Sequence, residues 1–233
     1  VQRLVYSLGV EVETNIETFF QLPIAVTKVF ALLRNLNAMP GGYMYDSNNM
    51  YRSDAAIASV MLGYGARQPY MSYLGEEDGG FQGTKLNSAN PFGLQAVFID
   101  NSSGIHSCTN LPLRKEYKYG KIGKNYIIRN MSEYKGTREG YDPRKRGWYK
   151  DATAVKYEPV WTSLYTFFSG PLGISAAQAY NISGKYGVAA VDYTLEAINE
   201  KLFISMETLK SRIDGLKGTT YVVEKTGNLI GLS

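Results

Sequence analysis

The chain has 233 residues, 44% of them hydrophobic, and a net charge of +4 from interspersed acids and bases, enough to bury a core in one large domain or two small ones. The basic patch from Arg138 to Lys150 is interrupted by acids and aromatics, and no cationic stripe tracks a phosphate backbone, so no nucleic-acid partner is expected. The single cysteine, Cys108, and the single histidine, His106, exclude an internal disulfide framework and metal sites built from Cys or His clusters.

In chain order, Ile16, Phe19, Phe20, Val26, Val29, Phe30, Leu33 and Leu36 recur at three-to-four spacing. They predict a long amino-terminal helix, bent at Pro23 and ended by Pro40-Gly41-Gly42. A second helix is expected from Ser53, as its cap, to about Leu62. No apolar run approaches the roughly 18 residues that span a bilayer, and no signal peptide opens the chain. After Pro69, Tyr70 to Leu74 and Gly80 to Lys85 flank Glu76-Glu77-Asp78-Gly79-Gly80 and read as a β-hairpin. Gln95 to Ile99 and Ile105 to Thr109 read as a second, around Asp100 to Gly104. Residues 110–140, rich in Lys, Tyr and Gly, read as a long excursion with one short strand near Tyr126, a length that often carries function.

Farther on, Ile174 to Ile182 and Tyr186 to Tyr193 form a third predicted hairpin, turning at Ser183-Gly184-Lys185. An amphipathic helix is expected from Thr194, through Leu195, Ile198, Leu202, Leu209 and Ile213, until Gly215 and Gly218 stop it. Thr219 to Val223 and Leu229 to Leu232 form a fourth hairpin. The class is α+β, with strands joined mainly by hairpins. No Gly-x-Gly-x-x-Gly or phosphate-loop motif occurs, and no cofactor is expected. The last hairpin has too few strands to stand alone, so the chain is expected to stop inside a second module.

The segment Tyr141-Asp142-Pro143-Arg144-Lys145-Arg146-Gly147-Trp148-Tyr149 carries the most chemistry. Run as an extended strand, it would point Arg146 and Trp148 to the same side. A guanidinium fork with an indole donor beside it suits a carboxylate. The competing reading is an Arg packed on aromatic rings in a turn. His106 and Cys108 lie two apart on a predicted strand, but no orienting carboxylate motif and no Gly-x-Ser-x-Gly elbow accompanies them, so no hydrolytic enzyme is expected. Sequons at Asn101, Asn130 and Asn181 are candidate N-glycosylation sites and lean toward a secreted glycoprotein.

The order of these elements, with Tyr141-Asp-Pro-Arg-x-Arg-x-Trp-Tyr149 at its centre, resembles the double Cache sensor domains over roughly residues 10–233. So do the strand Gly187-Val-Ala-Ala-Val-Asp192, with Tyr193-Thr-Leu195 after it, and Tyr221-Val-Val-Glu-Lys-Thr-Gly-Asn-Leu-Ile230. These are extracytoplasmic ligand-binding portions of chemoreceptors, sensor kinases and cyclases. The resemblance implies a helical region at 1–66, a membrane-distal module with a PAS-like antiparallel sheet and the pocket at 67–193, a linking helix at 194–214, and the beginning of a membrane-proximal module at 215–233.

The pattern of the subgroup that binds free amino acids falls here on Tyr141, Arg146, Trp148, Tyr149, Tyr165 and Asp192. By that resemblance Arg146 and Trp148, with Tyr141 nearby, hold the ligand carboxylate, and Asp192 takes the ammonium, helped by Tyr149 and Tyr165. The residues alone leave Asp192 a second role, as a cap for the helix that begins near Thr194. Where the family usually shows Arg-Pro-Trp, this chain has Gly147, which loosens the backbone between the two donors. Phe98, Leu111 to Tyr119 and Thr166 to Phe168 are candidates for the side-chain end of the pocket.

The implied partners are an amino acid-like small molecule and a membrane, reached through segments outside this chain. A homodimer through the amino-terminal helix is also expected. The implied location is the outer face of the plasma membrane, or the periplasm of a bacterium. A structural or interaction ectodomain that keeps the fold without a ligand is the alternative.

Overall fold

The computed structural model describes residues 2–35, 69–86, 94–100, 113–122, 125–129, 134–137, 141–168 and 170–233. The predicted helix at 53–62, the strand at 105–109, His106, Cys108, Asn101 and Asn130 lie outside the described residues, and Phe98 is described in its backbone alone. Helix α1 (Gln2–Asn35) runs through Pro23 as one element. Its length and average composition over Gly9–Asn35 would cross a membrane, although no unbroken apolar run announces this in the sequence. Its carboxyl-terminal half instead buries Phe19, Thr27, Phe30, Ala31 and Arg34.

That burial is against an antiparallel sheet ordered, among the described residues, Asn125–Arg129, Leu113–Ile122, Leu94–Asp100, Phe81–Leu86, Met71–Glu76, Lys185–Thr194, Leu172–Ile182 and Val160–Trp161. Its central strands are β1 (Met71–Glu76), β10 (Lys185–Thr194) and β9 (Leu172–Ile182). Strands β2 (Phe81–Leu86) and β3 (Leu94–Asp100) extend it on one side. The β1–β2 and β9–β10 hairpins fall where the turn residues predict. Ser183 and Gly184, at φ 52° and 88°, supply the left-handed pair that a two-residue hairpin needs.

Two expectations are corrected. The strand beside β3 is β4 (Leu113–Ile122), with Asp100 opposite Leu113. Residues 110–140 hold β4, β5 (Asn125–Arg129) and β6 (Tyr134–Thr137) rather than one short strand. Their mixed Lys, Tyr and Gly content hides the two-residue alternation, because cross-strand hydrogen bonds rather than an apolar face define them.

Side-chain alternation sorts the central strands into two faces. On one, Leu74, Tyr180 and Ala189 pack under Phe30 and Ala31 of α1. Farther along it, Ile174, Val191 and Tyr193 meet Phe19. On the other, Tyr73, Ala177, Ala179, Val188 and Ala190 pack under Trp148, Tyr149 and Ala152 of α2 (Gly147–Val155). The alanines are short enough for helices to approach both faces.

Two short strands, β7 (Val160–Trp161) and β8 (Tyr165–Thr166), pair with β9 after α2. Helix α3 (Leu195–Lys210) follows β10 directly and ends five residues before Gly215. There the amides of Arg212 and Ile213 fold back onto the Leu209 carbonyl. Strands β11 (Tyr221–Val223) and β12 (Leu229–Leu232) make a separate two-stranded ladder. It rests on α3 so closely that a Cβ on Gly231 would lie 2.8 Å from Ile198 and Leu202.

Candidate ligand-binding site

The Arg–Trp segment is not extended. Asp142 caps a 3-10 turn over Pro143–Lys145, its Oδ1 accepting from the Arg144 amide, with Pro143 at the first position, where its fixed φ and missing N–H suit a helix start. Arg146 is extended (φ −81°, ψ 149°) and forms the cap of α2, so Trp148 and Tyr149 sit in the first turn of a helix. Asp142 also grips the Arg144 side chain, whose Nη1 donates to the Glu77 carbonyl at 3.1 Å. The segment is thereby fastened to the β1–β2 turn.

Trp148 is 2% exposed. Its indole lies over Gly75 of β1, where a Cβ would come within 2.5 Å of Cη2. The same indole meets the Tyr73 ring edge-on at 4.8 Å. Tyr141 stands between Phe81 and Phe168, with ring centroids at 5.2 and 4.8 Å. Burial, then the charge of Asp192, pushes its phenol well up.

Asp192 lies on β10, opposite Ser175 of β9 and Met71 of β1, and is 5% exposed. Its Oδ1 accepts from the Tyr73 hydroxyl at 2.7 Å and from Ser175 Oγ at 2.5 Å. The Tyr165 hydroxyl lies 2.6 Å from the same Ser175 Oγ. No hydrogen bond among the described residues reaches Oδ2. Burial pushes the Asp192 carboxyl up from 3.8 to about 7, against the opposing pull of Ser175, Tyr73 and Arg146. Burial and the Asp192 charge likewise raise the Tyr165 phenol. The cap of α3 is Thr194, which accepts from the Ala197 amide at 3.1 Å. Asp192 is therefore not the helix cap that its position allowed, because its side chain faces into the α2 side of the sheet.

Arg146 stands over the Tyr165 ring. Its guanidinium carbon is 5.7 Å from the Tyr165 ring centroid, and Nη2 donates to the Thr166 carbonyl at 3.0 Å. Among the described residues it forms no ion pair with Asp192. Phe167 adds its ring edge to Tyr165 at 5.2 Å and stacks on Tyr70 at 5.6 Å. The structure thus brings Tyr141, Arg146, Trp148, Tyr165 and Asp192 together. Tyr149 points its hydroxyl elsewhere, 3.5 Å from the Tyr186 carbonyl, and the charges that act on it are Glu76, Glu77, Arg144 and Asp78.

Two residues beside Asp192, Tyr73 and Ser175, escape the motif. Ser175 was within reach of the sequence: a turn at Ser183-Gly184 forces residue numbers across the hairpin to sum to a constant, which sets Ser175 against Asp192. Asn181 is half-buried near that turn, and its Oδ1 accepts from the Gly184 amide at 2.9 Å. The loop that carries Tyr165 is tied to the last hairpin, where the Leu164 amide donates to Glu224 Oε1 at 2.8 Å.

This arrangement sets a buried carboxylate and a guanidinium apart on one face of a PAS-like α+β sheet. Solved structures of similar fold are ligand-binding domains of bacterial chemoreceptors. That of Campylobacter jejuni Tlp3, in complex with 4-methylisoleucine, matches 97% of this chain and 67% of its own with a TM-score of 0.55 at 14% identity. Pseudomonas aeruginosa PctC, an amino acid chemoreceptor in complex with GABA, matches 98% and 74% with a TM-score of 0.53 at 17% identity. Pseudomonas fluorescens CtaA, in complex with L-serine, matches 98% and 70% with a TM-score of 0.53 at 19% identity. No family model matches the chain. In sequence, it is similar to the methyl-accepting chemotaxis protein McpB of Bacillus subtilis, 38% identical over 93 residues, which cover 37% of this chain and 13% of that protein. The chain has the fold of chemoreceptor ligand-binding domains, the architecture that the resemblance to double Cache sensors implies.

Proposed function

We propose that the chain is the extracytoplasmic sensor domain of a transmembrane chemoreceptor and that it binds a free amino acid or a related small amine. The observation that carries this is Asp192, a buried carboxylate whose partners among the described residues are hydroxyls at one oxygen, with the Arg146 cation over the Tyr165 ring. A zwitterion supplies the missing charge at each end, and burying either end unmatched is costly. Arg146 and Trp148 take the carboxylate, Arg146 in place of the Thr166 carbonyl that it now holds. Asp192 and Tyr165 take the ammonium. Tyr149 joins them only if its hydroxyl leaves Tyr186.

The domain works by binding and not by turnover. A ligand biases a receptor only through different affinity for two states. The Glu224 link gives movement of the Tyr165 loop a direct path to β11–β12, where the proximal module begins. Leu22, Val29 and Leu32, exposed along α1, suit a homodimer. Calorimetric titration with the twenty amino acids and simple amines tests the reading, alongside Arg146→Ala and Asp192→Ala. Micromolar binding of one class, lost in both variants, is expected. Silence from folded protein across the set would remove the amino acid reading.

A further inference from the structure

We propose that Ser175 and Tyr73, which no part of the Arg–Trp motif includes, are positioning residues of this site: they hold Asp192 by one carboxylate oxygen and turn the other, with the Tyr165 oxygen, into an acceptor pair for an N–H-bearing cation. The proposal rests on the reading of Asp192 as the group that meets the ligand ammonium.

Hydroxyl polarity carries the argument. An ionised carboxylate only accepts, so Ser175 Oγ must donate its one proton to Asp192 Oδ1, and Tyr73 must do the same. Ser175 then has only lone pairs left, so the Tyr165 hydroxyl at 2.6 Å must donate to it. The Tyr165 proton is thereby committed, and its oxygen can only accept from anything that approaches. Asp192 Oδ2 and the Tyr165 oxygen present acceptors without a donor, which suits a primary or secondary ammonium and gives a quaternary one no hydrogen bond.

Both supports are rigid. Ser175 is fully buried and sits cross-strand from Asp192. Its own amide is held by Thr162 Oγ1 at 3.0 Å. Tyr73, 2% exposed, is wedged by Trp148 and Phe81. Among the described residues, the ionisable groups that face Asp192 are Tyr73 from β1, Tyr165 from β8, and Tyr141 and Arg146 from the segment before α2. Helices α1 and α3 pack on the opposite face of the sheet.

The test follows the Asp192 side-chain carboxyl by NMR titration in unliganded wild type, Ser175→Ala and Tyr73→Phe. The same proteins are titrated with L-isoleucine, L-serine and γ-aminobutyrate at pH 7 and 8.5. Removing either donor removes a charge-assisted hydrogen bond, so the Asp192 midpoint is expected to rise by about one pH unit. For Tyr73→Phe, affinity is expected to fall by about fivefold at pH 7 and to return to within about twofold of wild type at pH 8.5, where the carboxylate is again ionised. Ser175→Ala, which also releases the Tyr165 proton, keeps part of its loss. A merely structural role would weaken binding equally at both pH values.

Tyr73→Phe keeps nearly the same shape, so it decides the question even where Ser175→Ala does not fold. An unchanged Asp192 midpoint in a folded variant, or a Tyr73→Phe loss that does not recover at pH 8.5, overturns the proposal. A shifted midpoint with no binding of any of the three compounds to wild type overturns the amino acid reading instead and leaves the two residues as holders of Asp192.

Discussion

Asp192→Asn should stabilise the domain at alkaline pH while it destroys the proposed cation site. The carboxyl titrates at about 7 instead of 3.8, a rise of about three units, or about 4 kcal/mol at roughly 1.4 kcal/mol per unit. Because the folded value is raised, the neutral form favours folding. Its contribution is complete below about pH 4 and is lost as pH climbs through about 7. Asparagine is neutral throughout. Its amide oxygen can still accept from Tyr73 and Ser175, but its NH2 group replaces Oδ2 with an unmatched donor, which costs about 1–3 kcal/mol. The net gain at pH 8.5 is about 1–3 kcal/mol, or roughly 2–10 °C in Tm for a chain of this size. At pH 4 the sign reverses, because the wild-type carboxyl is then neutral too. Thermal unfolding of both proteins by circular dichroism from pH 4 to 8.5 measures the difference. A Tm difference that stays constant across that range, or that falls as pH rises, would refute the reasoning.

Glu76→Ala strips the buried Arg34 guanidinium of its carboxylate and Tyr180 of its acceptor. It should cost about 3–5 kcal/mol in urea unfolding. Gly75→Ala places a methyl 2.5 Å from Trp148 Cη2 and 3.2 Å from Pro143 Cβ. A loss of about 1–3 kcal/mol and a shift in tryptophan fluorescence are expected. Gly147→Pro should stabilise by about 0.4–1 kcal/mol, read from the denaturation midpoint. Nothing lies within 4 Å of the added carbon, the position opens α2, and Arg146 already has the extended backbone that a following proline requires.

Sequence signals were strongest where local chemistry decides local geometry. The β9–β10 turn, the β1–β2 turn and the apolar stripe of α1 all follow from residues within a few positions of one another. The Arg–Trp segment misled because its side-chain inventory was read without its start signal. Asp142-Pro143 is a cap followed by the residue best suited to a first helical position, and it commits Trp148 to a helix before any ligand is considered. Strands β4 to β6 stayed hidden because their pairing, not their composition, makes them strands. Tyr73 was unreadable for another reason: it reaches Asp192 from a strand more than a hundred residues earlier, and only the β1–β10 register joins them.

Two ionisable clusters occupy the central strands, and their contrast is what points to a ligand. On the α1 face, Arg34 and Glu76 neutralise one another, Tyr180 donates to Glu76 at 2.7 Å, and the Arg34 guanidinium lies 5.4 Å from the Tyr180 ring centroid. That cluster pairs its charges and fastens a helix to a sheet. On the α2 face, Asp192 has hydroxyls but, among the described residues, no counter-charge in contact, and Arg146, over the Tyr165 ring, is tied to the Thr166 carbonyl. A sheet able to bury a matched pair at Arg34–Glu76 could have matched Asp192 in the same way. Leaving it unmatched costs stability at every pH above its titration. A cation from outside, carrying its own carboxylate toward Arg146, is the occupant that would offset that cost at both ends.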